Sequence, residues 1–126
     1  GASYTGENVK VFNFPNPFDL QPKTVPLNSA HAGAVSNPLA TNGTVIKYEV
    51  PASVASGHAS IRIYNLAGEL VRVLDQGQVT GGKYYYTIWD GRNGGNQAAA
   101  NGVYYGILSL PGVKAKDATF KMVIIK

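Results

Sequence analysis

Few residues in this chain have the type and spacing that chemistry requires. Its two histidines, His31 and His58, fall in segments that read as loops, and neither has an Asp or Glu at metal-ligand spacing. Among the acids, only Asp90 has a suggestive setting, in Asp90-Gly91-Arg92-Asn93-Gly94-Gly95-Asn96, which has the rhythm of a calcium loop. Calcium would need oxygen ligands at the third and fifth places and a glutamate at the twelfth, whereas Arg92 and Gly94 stand at the third and fifth and no Glu closes the series. The stretch therefore reads as a tight turn built on Asp90, Gly91 and Asn93, in which Asp90 caps backbone N–H groups and the glycines supply positive φ. Cysteine is absent, which removes thiolate nucleophiles, thiolate zinc sites and disulfides. Nothing resembles a nucleophile elbow, a phosphate loop or a pair of catalytic carboxylates. The expectation is a chain without catalytic residues, metal or cofactor.

Aromatic clusters are the other candidates. Tyr84-Tyr85-Tyr86, Trp89 and Tyr104-Tyr105 could stack against sugars or bases, and a carbohydrate-binding reading would use Tyr85, Tyr105 or Trp89. In strands, however, alternate residues of such runs point inward and fill a core. Asn42-Gly43-Thr44 fits a glycosylation sequon, a match frequent by chance. The net charge of +4 comes from bases spread along the chain, loosely grouped only at Lys114, Lys116, Lys121 and Lys126, so no nucleic-acid partner is expected. No run is apolar enough for a membrane span. Residues 1–10 lack the basic start and apolar middle of an export leader, so an exported chain is expected to be already processed, or Gly1-Ala2-Ser3 to be a cloning remnant.

The elements that must position these residues read as strands. With 126 residues, 44% hydrophobic and only 14% charged, and rich in Gly and Tyr, the chain suits one all-β unit spanning residues 1–126. Strands are predicted over residues 9–14, 44–50, 59–66, 69–74, 83–89, 102–110 and 119–126, bounded by Pro and Gly turns. Residues 44–50 alternate in the manner of a half-buried strand, and Ile46, Tyr48, Ile61, Ile63, Tyr104, Leu108, Met122 and Ile124 form the predicted inter-sheet core. A short helical turn is expected near residues 97–101. The hairpin between residues 59–66 and 69–74 turns at Asn65 and Gly68. Residues 19–43, with Pro22, Pro26 and Pro38 and no sustained period, read as a long loop insertion. The fold class is an immunoglobulin-like or fibronectin III-like two-sheet β-sandwich of about seven strands.

Five blocks carry a family resemblance: Phe14-Pro15-Asn16-Pro17-Phe18, Ile63-Tyr64-Asn65-Leu66-Ala67-Gly68-Glu69-Leu70-Val71-Arg72, Trp89-Asp90-Gly91-Arg92-Asn93, Gly102-Val103-Tyr104 and Lys121-Met122-Val123-Ile124-Ile125-Lys126. In this order they resemble the immunoglobulin-like domain of the flagellar hook-capping protein (FlgD) type, similar to C-terminal sorting domains of type IX-secreted bacterial proteins. The resemblance implies a non-catalytic module of an exported bacterial protein, extracellular or on the cell surface, serving surface attachment, secretion targeting or assembly. Its partner would be a protein, either export or surface machinery or other copies of itself. An alternative is a subunit or cap of an extracellular appendage assembled through edge strands. The family passes quickly from the Pro-Asn-Pro-Phe block to the next strand, so residues 19–43 are a departure. Within them Pro22, Pro26, Leu27, His31, Pro38 and Leu39 are the expected interaction residues, with the edges at residues 9–14 and 119–126 as the fallback.

Overall fold

A computed structural model of the chain describes residues 2–27 and 38–126; His31 lies outside the described residues. All seven predicted strands are present, and three short ones join them. In chain order they are β1 (Ala2–Ser3), β2 (Lys10–Phe14), β3 (Lys23–Val25), β4 (Leu39–Thr41), β5 (Thr44–Val50), β6 (Gly57–Asn65), β7 (Leu70–Val79), β8 (Lys83–Trp89), β9 (Gly102–Ser109) and β10 (Thr119–Ile124). One sheet runs β1-β8-β5-β2 and the other β10-β9-β6-β7, with antiparallel pairing throughout both. The expected two-sheet sandwich is therefore present, with eight strands in its two sheets and a separate β3-β4 ladder beside them.

Period-two alternation sends one row of each strand between the sheets. Ile46 and Tyr48 of β5 meet Ile61 and Ile63 of β6, Tyr104 and Leu108 of β9, and Met122 and Ile124 of β10, all within one buried cluster as predicted. Trp89 is fully buried and packs edge-on against both Phe18 and Tyr104. A bulge leaves Gln76 of β7 unpaired with β6. Its side chain accepts from Tyr48 Oη at 2.8 Å and donates to Thr87 Oγ1 at 3.2 Å, so the amide satisfies hydroxyls from the facing sheet.

Strand β5 departs from the half-buried expectation, for it is buried along its whole length. Its second face carries Val45, which joins Phe14, Val25 of β3 and Leu27 just beyond β3 in a separate apolar cluster, with Phe12, Leu39, Tyr86 and Ile88 packed around it. The segment expected to be a strandless loop thus contains β3 and β4, paired from Lys23 opposite Thr41 to Val25 opposite Leu39. On the same face Lys47 and Glu49 form an ion pair at 3.0 Å, their side chains only 9% and 12% exposed. The helical turn expected near residues 97–101 does not form. Ala98 instead bridges Arg92 and the Ala99 N–H donates to Gly91 O at 2.8 Å, while a single 3-10 turn lies at Ala115–Asp117.

Two expected outcomes follow from this packing. Truncating Ile63 to Ala removes a fully buried side chain from the centre of the main cluster and should cost about 2 to 5 kcal/mol in a denaturant titration. The Tyr86 Oη is buried without a hydrogen-bond partner among the described residues, and burial, then Tyr84 and Glu49, push its pKa up to about 12 from 10.0. Between those values the native state holds a proton that the unfolded chain has lost, so this contribution is complete below pH 10 and disappears as pH rises towards 12. Tyr86→Phe should therefore hold stability or raise it by about 1 kcal/mol at neutral pH and soften the alkaline decline, as read from unfolding midpoints across pH.

Candidate functional site

The polar residues singled out from the sequence close turns. At the β6-β7 hairpin, Asn65 Oδ1 accepts from the Glu69 N–H at 2.9 Å, and Asn65 Nδ2 donates to Glu69 Oε1 at 2.9 Å. Gly68 sits at φ 81°, where a side chain would be strained, and its N–H donates to Asn65 O. After β8, Asp90 Oδ1 accepts from the Arg92 N–H at 2.9 Å and from Arg72 Nη1 at 3.0 Å. Arg72 Nη1 also reaches Arg92 O at 3.1 Å, the same carbonyl that accepts from Trp89 Nε1 at 3.0 Å. Asn93 Oδ1 accepts from the Gly95 and Gln97 N–H groups, each at 2.9 Å. Gly91 has φ 76°, which favours glycine, and a Cβ there would stand 2.1 Å from Leu20 Cδ2, so a side chain would also have to displace the end of Leu20.

Arg72 is the member that sequence reasoning missed. It lies on β7, eighteen residues before Asp90, and only the fold brings the hairpin arm against the turn. Both side chains are partly exposed, so the pair contributes at most about 1 kcal/mol, and its main effect is orientation. What the loop offers a cation is correspondingly small: the Asp90 carboxylate holds a guanidinium and a backbone N–H, and the Asn93 oxygen holds two N–H groups.

The sheet edges differ in how they are closed. Beside β10, Asn16 Nδ2 donates to Lys121 O at 3.1 Å and Asn16 Oδ1 accepts from the Val123 N–H at 3.0 Å. Phe18 then exchanges backbone bonds with Val123 O and the Ile125 N–H, both at 2.9 Å. An amide side chain and one extended residue thus act as a strand along β10, and this occupied edge removes residues 119–126 from the edge-pairing expectation. On the other sheet, the two residues of β1 cover the end of β8.

Of the expected interaction residues of 19–43, the five that lie among the described residues divide by burial. Pro22, Pro26 and Pro38 are exposed, whereas Leu27 is buried and Leu39 half-buried against the second cluster. Lys23 Nζ ties the ends of the segment by donating to Asp19 O at 2.8 Å and Gly43 O at 3.0 Å. The Gln21 N–H and then Lys23 hold the Asp19 carboxyl below its ordinary value. The three aromatic residues of the carbohydrate reading, Tyr85, Tyr105 and Trp89, lie in different settings. Trp89 lies in the core and Tyr85 stacks on Tyr48, leaving Tyr105, 38% exposed, on the outer face opposite Tyr64. Trp89, fully buried, therefore offers no face for stacking.

Because Asp90 Oδ1 and Asn93 Oδ1 already hold nitrogen donors, addition of calcium or of a chelator should leave the unfolding midpoint unchanged. A rise of several degrees with calcium, measured by thermal denaturation, would show that the loop rearranges around an ion.

No curated protein matches the chain. Among solved structures it is similar to PorZ, described as an essential bacterial surface component of the type-IX secretion system of Porphyromonas gingivalis, at 15% identity and a TM-score of 0.47 over 92% of this chain. The chain spans 11% of the PorZ chain, and a likeness of that degree says nothing of function. The family match is more direct. It covers residues 24–107, from β3 through the hairpin and the Asp90 turn into β9, so the strands and turns described above lie largely within it. On that match this chain belongs to the FlgD Ig-like domain family.

Proposed function

We propose that the chain is a non-catalytic interaction module of an exported bacterial protein, acting outside the cell or at its surface in attachment, secretion targeting or assembly. The observation that carries this reading is how the polar side chains are engaged. Asp90, Arg72, Asn93 and Asn16, which have the chemistry to bind or react, are each committed to backbone groups of a turn or a strand edge. Such commitments support a rigid scaffold and leave its surfaces to vary.

The partner is a protein, and the first contact surface is the exposed chain that flanks β3 and β4. Pro22, Pro26 and Pro38 stand exposed there while Val25 and Leu27 fasten the ladder to the sheet. Proline restricts the chain before contact, so less conformational entropy is lost on binding. The test is to append the chain to an exported reporter in the bacterium of origin and measure reporter on cells and in the medium. Retention on cells is expected, and the Pro22→Ser, Pro26→Ser, Pro38→Ser triple variant should reduce it while keeping its unfolding midpoint. Equal partition with and without the appended chain would overturn the interaction reading.

A further inference from the structure

Edge strand β7 presents an opening of a different kind. It is the longest strand and ends its sheet, opposite the edge that Asn16 and Phe18 occupy. Along its outer side, among the described residues, one backbone rung is made: the Gly94 N–H donates to Val71 O at 2.9 Å. A hollow of about 590 Å³ continues from that rung, lined by Leu70, Val71, Arg72, Val73, Asn93 and Gly94 to Gly95. Leu70 and Val73 are 53% and 43% exposed beside it, β7 contains neither lysine nor proline, and its two charged residues, Arg72 and Asp75, are paired with Asp90 and His58. A Cβ on Gly94 would meet nothing within 4 Å, so the space beside that residue is open.

We infer that this edge receives a short extended segment of a partner polypeptide, which adds to the sheet as a fifth strand next to the Gly94 rung. Main-chain bonds to β7 provide the recognition, and apolar side chains of the segment at alternate positions cover Leu70 and Val73. The β6-β7 register sets its length. Val71 and Gln76 are each skipped in the pairing with β6, so the regular stretch between the two bulges is Arg72 to Asp75. These limits disfavour β7 of a second copy as the occupant. Paired antiparallel about Leu74, that strand would place its Gly77 beside Val71 and run on into the position of Gly94. A short free segment can stop or turn there.

The inference rests on the interaction-module reading but uses a surface separate from the three exposed prolines. The full chain, isotopically labelled for NMR, would be titrated with a synthetic peptide alternating valine with threonine and glutamate, acetylated and amidated at its ends. A matched peptide N-methylated at its backbone nitrogens serves as control. Shifts centred on residues 70–76 and 93–95 are expected, together with loss of binding on N-methylation. Affinity should fall by about tenfold or more in Val73→Lys, which keeps its unfolding midpoint. Failure of the unmodified peptide to bind would overturn the proposal, as would equal binding of the methylated peptide or shifts elsewhere. A wild-type dimer whose interface maps to β7 would replace the peptide by a second copy. Loss of the β7 result with reporter retention intact removes only this slot, whereas loss of retention with the β7 result intact removes the module's cellular role.

Discussion

Because the face of β5 that carries Lys47 and Glu49 is covered, the two charges must pair there, and the layer that covers them constrains the rest of the architecture. Taking two charges out of water costs several kcal/mol per ion, which their mutual attraction repays only in good geometry. Two residues apart on one strand, they point to the same side, and their ends meet at 3.0 Å while Lys47 Nζ also lies 4.5 Å from the centre of the Tyr84 ring. Val45 continues the same face into the apolar cluster closed by Val25 and Leu27. A strand with two buried faces needs a layer on each, so the β3-β4 ladder is part of the packing.

The same two residues explain why the ladder was hard to read in the sequence. Val45, Lys47 and Glu49 alternating with Ile46, Tyr48 and Val50 is the pattern of a strand with one wet face, and the pattern alone does not distinguish a solvated charge from a paired, covered one. Lys23–Val25 and Leu39–Thr41 are three residues each and lie among prolines, too short to show a period. Ala98-Ala99-Ala100 favours helix by propensity, but hydrogen bonds to Gly91 and the bridge to Arg92 hold its beginning extended. The long strands and the main core were legible because their apolar residues alternate over seven or more positions in several runs.

Legibility of the site divides by sequence distance. Asn65, Gly68, Asp90, Gly91 and Asn93 act within four residues of themselves or through their own backbone angle, so turn chemistry suffices to find them. Arg72 acts on a turn far along the chain, and Asn16 acts on β10 across 105 residues. In both cases the side chain is ordinary and the fold supplies its partner. The Pro-Asn-Pro-Phe block belongs to this second kind: its asparagine and phenylalanine close a sheet edge formed by the end of the chain.

These closures also separate the surfaces that remain. The β3-β4 ladder rests on the outer face of one sheet through its own apolar cluster, and β7 ends the other sheet across the main core. No residue belongs to the buried sets of both clusters. Substitutions on the exposed side of the ladder and along the β7 edge should therefore combine nearly additively in stability, as changes at sites without shared partners do. A scaffold arranged in this way can change one contact surface without repacking the other, because the interactions that fix the fold lie between them and in the turns.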